Sequence, residues 1–310
     1  EAFGSGPPVP PLDERQCFIW SGGETAAVDY LAWYMETGQL SKYRGATESF
    51  AHGEDMNPLN SGTRLSPWLA FGCVSARKVV HEAREFERVH GQSSSTGKGS
   101  GKMGSTGARL YTELMFRDFL RFSTLSWGTS LFKIGGPFEV KGIQWDYDQE
   151  KFAKWCAGET GFPFVDAGMR ELVATGYMSH LHRQCCAAFL ARDLRLDWRM
   201  GAEFFESCLL DHTPDANWGN WAYRILQRPC LAESRADYPV EEHITTVEVV
   251  AWPVVHDPRL QHTLRWLPEL KKLGSRDLAR EPWRLEGRAV RRVAVAPYKD
   301  SPLWFCAANR

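Results

Sequence analysis

The sequence has no C-x-x-C pair, so neither a compact zinc motif nor a dithiol redox motif is signalled, although eight cysteines are scattered through its 310 residues. Thiols dispersed in this way suggest reduced side chains in a reducing compartment. There is no run of 18 apolar residues, which excludes a membrane-spanning helix of the usual kind. There is no charge excess either. The net charge of −1 excludes a globally basic nucleic-acid binder, but it leaves room for a local basic groove. The stretch Lys271 to Arg292 holds eight Lys or Arg against three acids, and it reads as a solvated surface helix or tail rather than as such a groove. Strand-like alternation is scarce before residue 240, and Thr245 to Val250 is the one segment that reads as β. No short internal repeat occurs. The chain opens Glu-Ala-Phe-Gly without a Met, which reads as a processed or trimmed start with any targeting segment out of view.

Apolar side chains are abundant at 43%, enough for a sizeable core, and 13 tryptophans are an unusual load. Most tryptophans serve packing, so a role beside a cofactor has to be argued by position. Residues 1–15 form a Pro/Gly-rich tail. Residues 91–108 hold six Gly and seven Ser or Thr, the composition of a flexible insertion. Helical spacing fills most of the remainder up to residue 230. Glu24 to Leu40 carries Ala27, Leu31, Tyr34 and Met35 on one face. A helix beginning at Ser75 aligns Val79, Val80, Ala83 and Phe86. Further helices are predicted over Leu110 to Leu125, Gln149 to Cys156, Val165 to Ala174, Leu181 to Leu194 and Gly201 to Leu210. The fold class is therefore all-α, with a helical domain over residues 16–230 and a divergent C-terminal segment over 231–310.

Thr63-Arg64-Leu65-Ser66-Pro67-Trp68 is the first stretch with chemical content. Ser66 is a good N-cap and Pro67 suits the first helical position. A helix start of this kind offers free N–H groups and a positive dipole end, to which Arg64 and Thr63 add donors. The stretch reads either as an anion site or simply as a capped helix.

In order along the chain come Gly22-Gly23-Glu24-Thr25-Ala26-Ala27, then Tyr43, then Gly62 through Gly72 with the Arg-Leu-Ser-Pro turn. Glu113-Leu114-Met115-Phe116-Arg117-Asp118-Phe119 follows, then Gly161 through Arg170, Asp197 through Glu203 and Asn217-Trp218-Gly219-Asn220-Trp221. With these motifs the chain resembles the flavin-binding catalytic domain of the photolyase/cryptochrome family, closest to the DASH type. The resemblance implies FAD held among helices. It implies that Tyr43, Thr63, Arg64, Leu65 and Ser66 grip the phosphate end, with Arg117 nearby. It implies that Arg183 and Asp211 flank the isoalloxazine ring, and that Asn217 faces its N5. Taken alone, Arg183 and Asp211 also read as an ordinary ion pair. An Asn at 217 cannot supply a proton as a carboxylic acid would, and this points to the photolyase/DASH side of the family. Asp211-His212-Thr213 lacks the family's second carboxylate, which removes one contact to the flavin pyrimidine edge.

Trp221, Trp198 and Trp145 match the family's electron-transfer chain, from the flavin outward. On the substrate side Glu113 is kept, and the resemblance gives it a hydrogen bond to a damaged base. The family's Trp in the next turn is Phe116, its Asn is His180 and the Arg after that Asn is Leu181. Gln184 and Tyr223 follow the DASH pattern, which favours damage in single-stranded DNA. No metal ligand set is implied. The family's amino-terminal α/β antenna domain cannot be supplied by residues 1–20, so the chain reads as a fragment or as a flavin domain standing alone. Two functions follow. One is a blue-light photolyase acting on cyclobutane pyrimidine dimers in single-stranded DNA. The other is a non-catalytic, light-responsive or structural subunit that binds protein partners through residues 91–108 and the C-terminal segment. By family habit the expected compartment is a chloroplast or mitochondrion.

Overall fold

The computed structural model describes residues 12–43, 62–90, 105–233, 253–254 and 256–282. Among them there is no strand, only an isolated bridge between Asp146 and Leu196. The β segment expected at Thr245 to Val250 lies outside the described residues, as do most of the tail, most of the 91–108 insertion and the end of the basic stretch. The helices are α1 (Glu24–Glu36), α2 (Gln39–Lys42), α3 (Ser66–Ala70), α4 (Ala76–His90), α5 (Ser105–Trp127), α6 (Gln149–Ala157), α7 (Pro163–Thr175), α8 (His180–Ala188), α9 (Trp198–Cys208), α10 (Pro214–Glu233), α11 (Gln261–Trp266) and α12 (Arg276–Arg280). No described helix is long and apolar enough to cross a membrane.

Local chemistry explains most boundaries. The Asp148 carboxylate accepts from the N–H groups of Glu150 and Lys151, both at 3.0 Å, and starts α6 with a cap worth about 1 kcal/mol. The Ser75 hydroxyl does the same for α4 and Asp197 for α9. Pro163 opens α7, and Gly176 closes it at φ 69°, a left-handed conformation that glycine adopts without strain. Three expectations need correction. The helix expected from Glu24 to Leu40 is broken at Thr37 and Gly38, because Gly38 takes φ 68° and redirects the chain into α2. The end of the 91–108 insertion belongs to α5, whose first turn is fixed by Glu87 of α4 accepting from Gly107 N at 2.8 Å. The helix expected over Leu181 to Leu194 changes after Ala188 into a π turn at Phe189–Asp193.

The main core gathers α6 to α10 around Trp155, Phe164, Phe189, Trp198 and Phe205, all at most 2% exposed. Burying one such ring contributes about 2–3 kcal/mol, and Trp155 also satisfies its indole N–H on Cys186 O at 3.1 Å. A second cluster joins α1, α3, α4 and the start of α5 through Leu31, Tyr34, Trp68 and Val79. α10 packs along both α5 and α9 and so links the halves. A third cluster of Leu260, Trp266, Leu267, Leu270 and Ala279 seats the C-terminal stretch on Ala167 of α7.

Candidate functional site

Arg183, in the first turns of α8, donates to Asp211 Oδ2 at 2.8 Å and to Met178 O at 2.8 Å. Burial alone would lower the Arg183 pKa, but the Asp211 carboxylate outweighs it and the guanidinium titrates higher than usual. Asp211 has a side chain only 3% exposed, and its Oδ1 is buried without a hydrogen-bond partner. A buried acceptor of this kind is costly unless a donor meets it. Asn217 of α10 is buried too, and its amide donates to Ala202 O at 2.8 Å, which fixes the side chain between α9 and α10.

Tyr177 joins this pair to the Arg-Leu-Ser-Pro turn. Its ring centroid lies 5.5 Å from the Arg183 guanidinium carbon and 5.2 Å from that of Arg64. Arg64 is 5% exposed and sits at φ 54°, a left-handed conformation uncommon outside glycine. Its carbonyl accepts from Trp20 Nε1 at 3.0 Å, and Trp20 in turn lies 4.7 Å from Tyr177. Trp20 and Tyr177 escape sequence reasoning, because each stands in a loop where no periodicity marks it.

The expected N-cap at Ser66 is corrected. The α3 helix begins at Ser66 itself, Leu65 takes the cap position in a helical conformation, and no side chain caps the end. Five residues generate little macrodipole, so anion affinity here rests on the Arg64 charge rather than on the helix. Thr63 Oγ1 accepts weakly from Leu65 N at 3.4 Å. Arg117 pairs with its neighbour Asp118 at 3.2 Å. Tyr43, assigned to the phosphate end of the cofactor by the resemblance, and Glu113, assigned to the damaged base, are brought together: the buried phenol donates to Glu113 Oε2. Burial, followed by the Glu113 charge, holds the Tyr43 phenol far above its ordinary value, so it remains the donor.

Trp221 and Trp198 are 3% and 0% exposed, while Trp145 is half-buried and packs on the same core. Trp221 presses on Gly201, where an added Cβ would meet its ring at 2.4 Å. Trp198 donates its indole N–H to Ile134 O at 3.0 Å. The backbone after Trp145 is bridged to the segment before Trp198, with Asp146 N on Arg195 O at 2.7 Å and Asp197 N on Asp146 O at 3.3 Å. The ring partners of these residues include two further tryptophans, Trp155 at 6.5 Å from Trp221 and Trp218 at 5.7 Å from Trp198.

Phe116 of α5 and Tyr223 of α10 meet edge to face at 5.5 Å, and Phe116 stacks on Phe119 at 5.8 Å. His180 accepts from the Gln184 amide at 2.7 Å, and burial, then the Arg183 charge, pushes its pKa down to about 4. The site thus offers a buried cation–carboxylate pair with one unsatisfied acceptor, a second buried cation across Tyr177, and an aromatic pair between α5 and α10. The donor set fits a flavin. Asp211 Oδ1 lacks the donor that a ring N–H would supply, and Arg64 matches a phosphate charge.

A family model described as the FAD binding domain of DNA photolyase matches residues 110–303. The chain is 35% identical over 291 residues to "Cryptochrome DASH, chloroplastic/mitochondrial" of Arabidopsis thaliana, covering 94% of this chain and 46% of that protein. It is also 35% identical over 291 residues to Cryptochrome DASH of Synechocystis sp., covering 94% and 54%. The solved structure of the Synechocystis cryptochrome superposes with a TM-score of 0.76 at 34% identity, over 93% of this chain and 54% of that one. The chain spans about half the length of these relatives.

Proposed function

The chain belongs to the family of FAD-binding domains of DNA photolyase, and from that premise we propose a blue-light flavoprotein of DASH cryptochrome type that acts on cyclobutane pyrimidine dimers in single-stranded DNA. FAD is the cofactor of this domain family. When bound it would supply light absorption and one-electron chemistry. Arg183, Asp211 and Asn217 would hold the ring end. Tyr43, Thr63, Arg64, Leu65 and Ser66, with Arg117 nearby, would hold the phosphate end. Trp145, Trp198 and Trp221 would relay electrons inward, Trp145 refilling Trp198 and Trp198 refilling Trp221. Glu113, Phe116, His180 and Tyr223 would receive a flipped-out dimer, the aromatic pair by stacking and Glu113 by hydrogen bonding. The observation that carries this reading is the partly buried Arg183–Asp211 pair with the buried Asp211 Oδ1 left unsatisfied.

The test begins with the absorption spectrum of the purified protein before and after blue illumination with a mild reductant. Oxidised-flavin bands that bleach under light support the cofactor and relay assignments. A colourless protein that cannot be reconstituted removes them. Dimer reversal on irradiated single-stranded DNA then tests repair, and no turnover with fully reduced flavin removes the enzyme reading.

A second reading, a non-catalytic light-responsive or structural subunit, has its own observation. Along α5, Met115, Phe119, Phe122 and Leu125 are 50%, 49%, 69% and 75% exposed and form an apolar stripe. Under that reading the 91–108 insertion and the C-terminal segment would contribute to partner binding. A protein that is monomeric at working concentration and retrieves no partner in native pull-downs would count against it. The plant relative is a chloroplastic/mitochondrial protein, which supports an organellar location that fractionation or tagging of the full-length protein tests.

A further inference from the structure

Glu171 of α7, His182 of α8 and His262 of α11 meet where the C-terminal stretch crosses the main core. Each offers one ligand atom, and these atoms lie within 4.8 Å of one another. His182 is 0% and Glu171 8% exposed, and the His262 side chain is 11% exposed. His262 Nε2 stands 2.9 Å from Glu171 Oε2. The two imidazoles face each other with centroids 4.2 Å apart, and Phe164 stacks on the far side of His182 at 4.3 Å. The ligands stand 11 and 80 positions apart in the sequence, so no short spacing motif announces them.

We propose that Glu171, His182 and His262 form a binding site for one divalent transition-metal ion, zinc by donor type, which staples α11 to the α7–α8 core. Two imidazole nitrogens and a carboxylate oxygen are a common zinc donor set, and calcium and magnesium prefer all-oxygen sites. Ligand atoms about 2.1 Å from one ion at tetrahedral angles stand about 3.4 Å apart, and the 2.9 Å gap between His262 and Glu171 would open by only about half an ångström. Small side-chain rotations bring the third donor in. The Ser179 hydroxyl lies 2.9 Å from His182 Nδ1 and orients the ring, as outer partners of metal-bound histidines do, which points Nε2 at the ion. Three protein ligands leave a fourth position, which His256 or a water would complete. The apolar contacts of Trp266, Leu267 and Leu270 bring the C-terminal stretch to α7, and the ion would fix its register there.

The test uses the full chain, stripped with a chelator and dialysed against Zn2+ or Co2+. The expected result is about one equivalent retained after gel filtration, a visible d–d spectrum with Co2+, and a melting temperature that rises with Zn2+ as ligand linkage requires. Affinity should fall about 100-fold or more in His262→Ala, and about 10-fold in Ser179→Ala, the scale of outer-partner losses. His81→Ala, at an exposed site on α4, should change nothing. His262→Gln and Glu171→Gln withdraw donors while keeping volume and hydrogen-bonding capacity, so loss of metal by folded variants separates ligation from packing. The proposal is overturned if the wild-type chain retains no Zn2+ or Co2+, or if the Gln variants bind as tightly as wild type.

Discussion

The α8–α10 wall and the α5 face are both rich in family-type residues, yet they hold their side chains differently. On the wall Arg183 is tied to Met178 O and Asp211, Asn217 to Ala202 O and Trp198 to Ile134 O. On the α5 face Phe116 stacks on Phe119 and meets Tyr223 edge to face, and Phe119 and Phe122 stand in the open. Two of the departures from the family pattern, Phe116 on α5 and His180 at the start of α8, hold no side-chain bond to the backbone; the His180 partner is another side chain, Gln184. A group anchored on a buried carbonyl cannot change without leaving that carbonyl unsatisfied, whereas an aromatic on an open face can change at little cost. The contrast therefore separates wall side chains tied to backbone carbonyls, which folding constrains, from side chains on the α5 face and at His180 that are free to drift or to specialise.

Removing the Asp211 carboxylate should have the largest effect. Asp211→Ala leaves the Arg183 charge largely buried without its partner, at a cost of about 3 kcal/mol, and the variant should purify with little or no FAD. Phe116→Ala should cost less than half as much and keep its flavin. Denaturant titration and flavin content measure both. If Asp211→Ala keeps FAD while Phe116→Ala loses it, the distinction between wall and face is wrong.

Acid sensitivity comes next. The folded-state pKa of His180 is pushed down to about 4, against about 6.5 when unfolded, so the folded protein binds fewer protons between those values. Its contribution is present in full above pH 6.5 and is lost as pH falls toward 4. The shift is worth at most about 3 kcal/mol. His180→Asn, which restores the family residue, should flatten stability across that window. An unchanged stability–pH curve would show that His180 is solvated.

Gly201→Ala sharpens the wall side. The new methyl would meet Trp221 at 2.4 Å, and overpacking of this kind costs about 1–3 kcal/mol. If Trp221 relays electrons, flavin photoreduction should slow more than flavin content falls. Equal losses would assign Trp221 to packing alone.

Sequence reading reaches parts of this architecture and misses others for identifiable reasons. The α6 helix is legible at both ends, because Asp148 caps it and Gly158 closes it within the local sequence. The broken helix at Gly38 was open to the same reasoning, since a glycine there signals a stop. The start of α5 was not, because a distant Glu87 fixes Gly107 inside a Gly/Ser-rich stretch. At the site, Arg183, Asp211 and Asn217 stand out through family motifs. Tyr177 does not, since its place between two guanidinium groups exists only after residues 64 and 183 are folded together. The Glu171–His182–His262 cluster stays hidden for the same reason.

The smallest expected effect lies on the α5 face and bears on function most directly. Phe116→Trp returns the family side chain to a half-buried position that stacks on Phe119 and meets Tyr223 edge to face. Stacking a base on an aromatic ring is worth about 1–3 kcal/mol in all, so exchanging phenyl for indole should gain less than about 1 kcal/mol, a several-fold tighter Kd for single-stranded DNA containing a dimer. Fluorescence anisotropy on damaged and undamaged oligonucleotides measures it. A gain confined to damaged DNA would mean that the face still receives a lesion and that Phe116 only tunes it. No gain on either would indicate that the α5 stripe no longer meets DNA, and the partner-binding reading would then account better for its exposed Met115, Phe119 and Phe122.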